Sequence, residues 1–349
     1  MGTQATRSNL LSVDTTLDGD ITATQNYIPV ASTTNFSTSV VAEIETTNEV
    51  VSFSDISENL FEHSEQFNDS YWNKTGTTVT ADQITAPDGT LTADKLTSTS
   101  TAGSFIGKKP ATATANQPYT FSVFAKAGDH DIVRLANTSS GATGAWFDLT
   151  NGTILQQNDT SNTGMVSTIT DFGDGWYRIT RTFPDARDSS NTFFIVGNSA
   201  SNGSTGGPPV GEFIYLWGAQ VENGTTLSTF LPTTSDPLVG LTGVTRGVNG
   251  TTATVADDGD SIQQLPYALT TLNLPVRLKG LSVSSDGTGA GRLTLCNNNG
   301  DTLCDVDIPD NKIFDLDLGG GILFPNGIFI SNSDNITAYT LYTDFGGTL

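Results

Sequence analysis

The chain has 349 residues and carries 37 Asp and Glu against 15 Lys and Arg, a formal net charge of −22 at pH 7. Such an acidic surface repels nucleic acid and anionic membranes, so neither is an expected partner. No stretch is long and apolar enough to predict membrane insertion. Charged residues make up only 15% of the chain. Thr, Ser, Asn and Gly must therefore cover much of the surface, and with no convincing amphipathic helix the composition predicts an all-β fold.

The first segment, residues 1–14, is polar and is predicted to be a flexible arm. It contains no apolar core of the kind that a secretion signal has. The protein is therefore expected to be made in a cytoplasm without a signal peptide. The length of the whole chain predicts two or three domains beyond this arm.

Short β-like segments follow over residues 15–56 and then break off. The same short-strand style resumes over 236–265, around the stretch Thr245–Thr252. We therefore predict one small β-domain built from both segments, with residues 57–235 inserted between its strands. The pairing of this start with this finish resembles a small β-domain recurrent in tailed-phage structural proteins, where the two halves usually follow each other closely.

The inserted block alternates apolar and polar residues between Gly- and Asn-rich turns. Tyr119, Phe121 and Val123 are predicted to share one strand face, and Trp176 and Tyr177 to point to opposite faces. Roughly eight to ten such strands are typical of a two-sheet sandwich of jelly-roll type.

The order of motifs in this block closely resembles a carbohydrate-binding-module-like jelly roll that recurs in phage tail and other virion proteins. The motifs include Asn59–Phe67, Tyr119–Gly128, Gly173–Ile179 and Tyr215–Glu222. The resemblance covers about half the chain and implies a glycan-binding module. It is also compatible with a structural calcium ion, whose ligands the sequence does not assign.

Residues 266–349 again form short alternating strands and predict a C-terminal antiparallel β-sandwich. Cys296 and Cys304 flank an Asn-Gly turn signal. If Asn299 and Gly300 are the two loop residues, Cys304 faces Leu295 and the two thiols point to opposite sides of the sheet. Free thiols are expected in that register, whereas a loop centred on Gly300 would place the cysteines opposite each other.

Candidate catalytic groups are few. A glycosidase needs two carboxylates at a fixed separation. The candidates are Asp171, Asp174 and Asp185 beside Trp176, and Asp305, Asp307, Asp315 and Asp317 on the C-terminal strands. The favoured alternative is that Asp174-Gly175 forms a turn and that the alternating Asp residues line a solvated face. His63 and His130 lie in no metal-binding spacing and are expected at the surface.

Exposed aromatic side chains are the better candidates, because sugar rings stack on them while polar groups bind the hydroxyls. Trp146 follows a small polar loop and precedes Phe147, so one of the two is expected to face outward. Arg134 on the neighbouring strand and Trp72 complete the predicted glycan site. The alternative, that each Trp belongs to the sandwich core, stays open because Trp is highly buried on average.

These observations predict a non-enzymatic virion structural protein of a tailed phage, displayed on the capsid or the tail as a decoration, fibre or tail component. Its expected partners are other virion proteins, further copies of itself in a homotrimer guessed by analogy, and host surface polysaccharide. Two alternatives remain open, a dedicated host-receptor adhesin and a polysaccharide-degrading tail enzyme.

Overall fold

The computed structural model describes residues 13–34, 36, 41–47, 49–114, 116–137, 144–158, 164–184, 194–248, 251–264, 276–285, 287–296, 302–324 and 328–345. These residues form strands, turns and bridges without a helix, so the all-β prediction is confirmed. The chain divides into two compact units. One combines Met1–Asp55 with Leu241–Leu349, and the other consists of Ile56–Gly240.

The N-terminal segment contributes the strands β1 (Val13–Thr16), β2 (Tyr27–Val30), β3 (Val41–Ile44), β4 (Glu49–Ser52) and β5 (Asp55–Asn59). The middle of the chain contributes the strands β6 (Asn73–Thr75), β7 (Thr77–Ile84), β8 (Ala93–Ser98), β9 (Ser104–Lys108), β10 (Tyr119–Ala127), β11 (Ile132–Ala136), β12 (Gly144–Asp148), β13 (Thr153–Asn158), β14 (Val166–Asp171), β15 (Trp176–Phe183), β16 (Phe194–Asn198) and β17 (Phe213–Asn223). The C-terminal segment contributes the strands β18 (Leu238–Thr242), β19 (Ser261–Gln264), β20 (Val276–Ser285), β21 (Gly291–Cys296), β22 (Thr302–Ile308), β23 (Ile313–Phe324), β24 (Phe329–Asp334) and β25 (Ile336–Phe345).

The unit Ile56–Gly240 contains two six-stranded antiparallel sheets. Sheet I has the order β14-β15-β10-β17-β8-β7, and sheet II has the order β13-β12-β11-β16-β9-β6. Alternate residues of both sheets meet in one apolar core, which includes Tyr119, Phe121 and Val123 of β10 and Val133 and Phe147 of sheet II. The predicted shared face of Tyr119, Phe121 and Val123 is therefore confirmed. Burying these large side chains stabilises the unit by about 1.5–3 kcal/mol for each one that is fully removed from water.

One buried amide helps to fix the entry of the chain into this unit. Asn59 donates through Nδ2 to the carbonyls of Ala219 (3.0 Å) and Leu231 (2.9 Å). Its Oδ1 accepts from the backbone N–H groups of Phe61 (3.1 Å) and Val221 (3.3 Å). The whole hydrogen-bonding capacity of the buried side chain is satisfied, as a buried amide requires.

The other unit joins strands from the two ends of the chain. β1 pairs with β19, and β19 pairs with β3, in a four-stranded sheet of order β1-β19-β3-β4. Ser52 and Thr245 also exchange two backbone hydrogen bonds, of 3.0 and 2.8 Å. A second, three-stranded sheet has the order β2-β18-β5. The boundaries between the two units fall within β5 and within β18.

A buried ion pair lies where these segments meet. The Arg246 guanidinium donates through Nε and Nη2 to the two oxygens of the Glu49 carboxylate, both at 2.7 Å. The Arg246 side chain also donates to the carbonyls of Thr22 (2.5 Å) and Thr254 (2.6 Å). The Glu49 side chain is 0% exposed and that of Arg246 6%. The pair therefore ties three separate stretches of chain together away from water.

The Glu49 carboxylate is held in its charged form. Burial alone would raise its pKa, but hydrogen bonds from Arg246, Thr254 and Gly247 outweigh that effect and keep the pKa below its ordinary value. Arg246 and Gly247 belong to Thr245–Thr252, the stretch around which the short-strand pattern resumes.

The C-terminal strands form two three-stranded sheets, of orders β23-β20-β25 and β22-β21-β24, and share a separate apolar core. The predicted pairing of Leu295 with Cys304 is confirmed. Cys296 lies opposite Thr302 rather than Leu303, because the register shifts between Leu295 and Cys296. Both cysteines are buried and no disulfide joins them, and the turn residues 297–301 lie outside the described residues.

The finer domain boundaries, 15–56 with 236–265, 57–235 and 266–349, stay a prediction. The predicted arm, residues 1–14, lies outside the described residues except for its last two.

The ion pair yields a stability prediction. Replacing Arg246 with Met, which keeps the aliphatic volume but removes the charge and the donors, leaves the Glu49 carboxylate buried without its partner. We expect a loss of about 3–5 kcal/mol in the free energy of unfolding, measured by urea denaturation followed by circular dichroism.

The matched control is Asp305→Asn, which breaks the ion pair between Asp305 and Arg292 in the same unit. The Arg292 side chain is 53% exposed, so this loss should be about 0–1 kcal/mol. Equal effects of the two substitutions would show that the buried pair does not stabilise the unit.

Candidate functional site

The side chains predicted to bind glycan are buried. Trp146 is 0% exposed, and its indole Nε1 donates to the carbonyl of Ser204 (2.7 Å) and to Oγ of Ser199 (3.0 Å). The predicted exposure of Trp146 is therefore wrong. Phe147 faces the core, as one member of the pair had to, but residues 199–206 cover the other side of sheet II.

Arg134 and Trp72 are buried as well. Arg134 lies opposite Trp146 in the β11–β12 pair, with its guanidinium 5.4 Å from the indole centroid, and burial lowers the pKa of Arg134 to about 10. Trp72 is 3% exposed, packs against Phe61 and donates through Nε1 to the carbonyl of His63 (3.0 Å). The structure does bring Arg134 and Trp146 together. Neither Trp146 nor Trp72, however, presents an exposed ring face.

Sheet I carries a second packed face, turned away from the core. The strand register places its side chains in rows across β15, β10 and β17. Phe124 lies opposite Arg178 and Trp217, and the next row towards the end of β10 holds Lys126, opposite Trp176 and Tyr215. Phe124, Trp176 and Trp217 form a small apolar cluster of their own. The alternation predicted for Trp176 and Tyr177 is confirmed, since Tyr177 packs against the main core.

A segment of chain covers part of this second face. We call Ser228–Leu231 the covering segment. Arg178 donates to the carbonyl of Ser228 (2.7 Å), and Gln220 both donates to Oγ of Ser228 (3.1 Å) and accepts from the N–H of Leu231 (2.8 Å). Glu222 accepts hydrogen bonds from the N–H and the hydroxyl of Ser228. Burial raises the pKa of Glu222 even though these bonds oppose the shift.

The apolar end of the covering segment is Phe230. Its ring lies 4.8 Å from that of Trp217 and 6.0 Å from that of Phe124, measured between centroids. Gly218, at a φ of +61°, lies under this contact, and a Cβ there would come within 3.2 Å of the Phe230 ring. The covering segment therefore packs over the row that contains Phe124, and the row that contains Lys126 stays open.

The open row forms the floor of a cleft of about 790 Å³, lined by Lys126, Trp176 and Tyr215. This volume lies within the range of ligand sites. The indole Nε1 of Trp176 donates to the carbonyl of Thr85 (3.1 Å). The polar edge of the indole is therefore hydrogen bonded, and the ring is part of the floor.

Two turns make the rims. On one side, residues 85–92 between β7 and β8 fold back through a hydrogen bond from the N–H of Ala86 to the carbonyl of Thr90 (2.8 Å), and this rim carries Leu91, which is 62% exposed. On the other side, the turn between β14 and β15 carries Phe172, which is 49% exposed. Gly173, Asp174 and Gly175 all have positive φ, which confirms the turn predicted at Asp174-Gly175.

The polar groups of the cleft are the Lys126 ammonium and the groups of the Asp174 turn. Lys126 Nζ donates to the backbone carbonyl of Asp174 (2.5 Å). Asp174 is the one carboxylate among the described lining residues. Asp171 accepts from the N–H of Gly173 (2.8 Å) and so shapes the turn, and Asp185 lies outside the described residues. The structure therefore does not bring the predicted carboxylates together as an opposed pair here.

The remaining candidates have structural roles. Asp315 and Asp317 alternate on the exposed side of β23, as predicted for a solvated face, and Asp305 pairs with Arg292. His63 is half-buried. The prediction that His130 lies at the surface is wrong, since its side chain is only 10% exposed. Its ring nitrogens contact Oε2 of Glu212 (3.0 Å) and the carbonyl of Ser199 (2.7 Å).

Within the described ranges, no group of three or more His, Cys, Asp or Glu side chains is arranged to hold a metal ion. Among the same residues, no helix is long and apolar enough to cross a membrane.

Comparisons with known proteins give likenesses to solved structures alone. No family model matches the chain, and no curated protein matches it. Among solved structures, the chain is similar to the N-terminal CBM22-1–CBM22-2 tandem domain of Xyn10C from Paenibacillus barcinonensis, with 9% sequence identity and a TM-score of 0.29. The alignment covers 85% of this chain and 92% of that one. At that TM-score the likeness does not identify a function.

The burial of Trp146 and the exposure of Phe172 predict losses of stability of different size. Trp146→Ala should lower the free energy of unfolding by about 3–5 kcal/mol, because it leaves a cavity in a covered face. Phe172→Ala should lower it by less than about 1 kcal/mol.

Urea denaturation followed by far-UV circular dichroism measures both values, since that signal does not depend on the Trp that is removed. A Trp146→Ala variant as stable as Phe172→Ala would mean that Trp146 is not packed as described.

Proposed function

We propose that the cleft on the second face of sheet I is a glycan-binding site and that the protein binds sugar without cleaving it. The observation that carries this proposal is the exposed aromatic rim of Phe172, set above a floor formed by Tyr215 and Lys126. A sugar ring presents an apolar C–H face edged by hydroxyl groups. A site for it needs flat apolar surface with a few polar groups beside it.

The rigid surroundings of the cleft support binding in a preformed site. The floor belongs to adjacent strands of one sheet, and its lower end is closed by the hydrogen-bonded covering segment. Ligand binding would therefore order few side chains, which reduces its entropic cost. The motif resemblance of residues 57–235 to a carbohydrate-binding-module-like jelly roll points to the same class of ligand.

The proposal is tested by binding to a glycan array and by affinity electrophoresis in soluble polysaccharides. Phe172→Ala and Tyr215→Ala should each weaken binding about tenfold, since a lost ring contact is worth roughly 1–1.5 kcal/mol. Both rings also contact the apolar cluster under the cleft, Phe172 through an edge contact with Phe124 (4.9 Å between centroids). Phe172→Ala is the cleaner variant, because Phe172 is 49% exposed.

The matched control is Tyr342→Ala, which removes an aromatic ring of similar exposure, 56%, from the other unit. Its glycan binding should equal that of the unmodified protein. A cleft variant that binds as well as this control would overturn the site, and an array without any bound glycan would overturn the function.

We propose further that the protein is a structural component of a tailed-phage virion, displayed on the capsid or the tail and contacting other virion proteins and further copies of itself, in a trimer by analogy. The support comes from the sequence. The segments 15–56 and 236–265 resemble a small β-domain of such proteins, and the middle block resembles a module that recurs in virion proteins. In this setting the cleft would contact host surface polysaccharide.

The virion proposal has its own test. Mass spectrometry of purified particles from the phage that encodes the chain should detect the protein at a stoichiometry that matches a symmetric assembly. Its absence from purified particles would reject the virion role, while leaving the glycan-binding proposal to be judged by the array.

A further inference from the structure

We infer that the glycan recognised by the cleft is an acidic polysaccharide, one that carries carboxylate groups along its chain. This inference rests on the proposed function of the cleft and names its class of ligand. It comes from the placement of two lysines in a protein where acidic residues outnumber basic ones, 37 to 15.

The two lysines stand on either side of Tyr215. Lys126 of β10 and Lys95 of β8 are its direct neighbours across the two strand pairs that β17 makes. Direct neighbours in antiparallel strands project from the same face of a sheet, and adjacent strands are about 4.8 Å apart. The two lysines therefore flank Tyr215 in one row across the sheet, roughly 10 Å apart at the backbone. Lys126 lines the cleft, and Lys95 lies beside it.

Neither lysine is neutralised by the protein. Within the part of the chain that the structure describes, neither ammonium group forms an ion pair with a carboxylate. Lys126 donates to a backbone carbonyl, that of Asp174. Lys95 lies over the ring of Phe213, with Nζ 3.6 Å from its centroid. By contrast, Arg246 and Arg292 both bind carboxylates.

Aromatic surface lies beside both charges. The rings of Phe213 and Tyr215, two residues apart on β17, are 5.3 Å apart in an edge-to-face contact, and Lys95 lies over the Phe213 ring. A polysaccharide of uronic acids carries the matching pattern, with apolar ring faces and a carboxylate on each charged unit. The compact ammonium of Lys binds an anion without demanding a fixed bidentate geometry, which suits a ligand that repeats along a chain.

Two acidic side chains, Asp88 and Asp174, lie in the rim turns rather than in the row of the lysines. Asp88 accepts from the N–H of Thr90 (2.9 Å) and from its hydroxyl (2.7 Å), so it is engaged in its own turn. Asp174 offers its backbone carbonyl to Lys126. The net charge of −22 would by itself repel an acidic polymer. Binding must therefore come from the local row, and repulsion by the remaining surface would restrict an acidic ligand to that row.

The experiment compares matched polymers. Polygalacturonate, alginate and hyaluronan are tested beside their carboxyl-reduced forms, in which each uronic acid has become a neutral hexose on the same backbone. Binding is measured by affinity electrophoresis and isothermal titration at 50 and 500 mM NaCl. At least one acidic form should bind about tenfold or more tightly than its reduced form, and the difference should shrink at high salt, where charges are screened.

The variants are Lys126→Gln and Lys95→Gln, which keep chain length and polarity but remove the charge. Each should weaken binding of the acidic form about tenfold, the loss expected for one charge-assisted hydrogen bond, and should weaken binding of the reduced form clearly less. Lys108→Gln is the matched control. It removes one charge from β9 of sheet II, where Lys108 lies over the ring of Tyr71. Circular dichroism establishes that each variant is folded.

The outcomes separate the two levels of the proposal. If the acidic and reduced forms bind equally, and Phe172→Ala weakens both while Lys126→Gln weakens neither, the acidic-ligand inference is overturned and the glycan site stands. If the lysine variants lower binding no more than Lys108→Gln does, the inference is likewise overturned. If no acidic or neutral glycan binds, the proposed function itself fails.

Discussion

The cleft depends on the buried hydrogen bonds that hold Ser228–Leu231 over the second face of sheet I. Arg178, Gln220 and Glu222 project from that face, and such polar side chains cannot be left unpaired away from water without a cost of about 1–3 kcal/mol each. The covering segment supplies each of them with a partner, from its own backbone or from the Ser228 hydroxyl. The covering segment does not extend beyond the hydrogen bonds to these side chains, so the next row, that of Lys126, stays open. The position of the cleft therefore follows from where the buried polar groups stop.

This arrangement also limits what the cleft can do. Its floor is part of a sheet whose strands are hydrogen bonded on both sides, so the ring of Tyr215 and the ammonium of Lys126 are held by a rigid backbone. Its rims are short turns closed by their own hydrogen bonds. Such a surface is suited to holding a ligand in one orientation. Among the described lining residues, Asp174 is the one carboxylate.

The other unit depends on a different buried contact, the ion pair of Glu49 and Arg246. A buried carboxylate and guanidinium are tolerated only when each is fully hydrogen bonded. Here the remaining bonds go to backbone groups of residue 22 and of residues 247 and 254. Residue 22 lies far from the other two in the chain. All hydrogen bonds of the pair therefore form only when the N-terminal and later segments are packed together. The pair thus favours this arrangement of strands specifically.

The residues alone determined the all-β class, the alternation along β10 and β15, the turn at Asp174-Gly175 and the pairing of Leu295 with Cys304, because these depend on local spacing and turn chemistry. They did not determine which aromatic ring meets solvent. Trp146 and Phe172 both lie beside polar, turn-rich sequence, yet one is covered by residues 199–206 and the other is left open. Strand periodicity assigns a side chain to a face of a sheet, but only the tertiary structure decides whether another segment of chain packs over that face. For Phe172, the one available sequence signal was an aromatic residue set directly before a Gly-Asp-Gly turn. The open row of Lys126 and Tyr215 had no such signal, since it exists only because β8, β10, β15 and β17 lie side by side and the covering segment stops before reaching it.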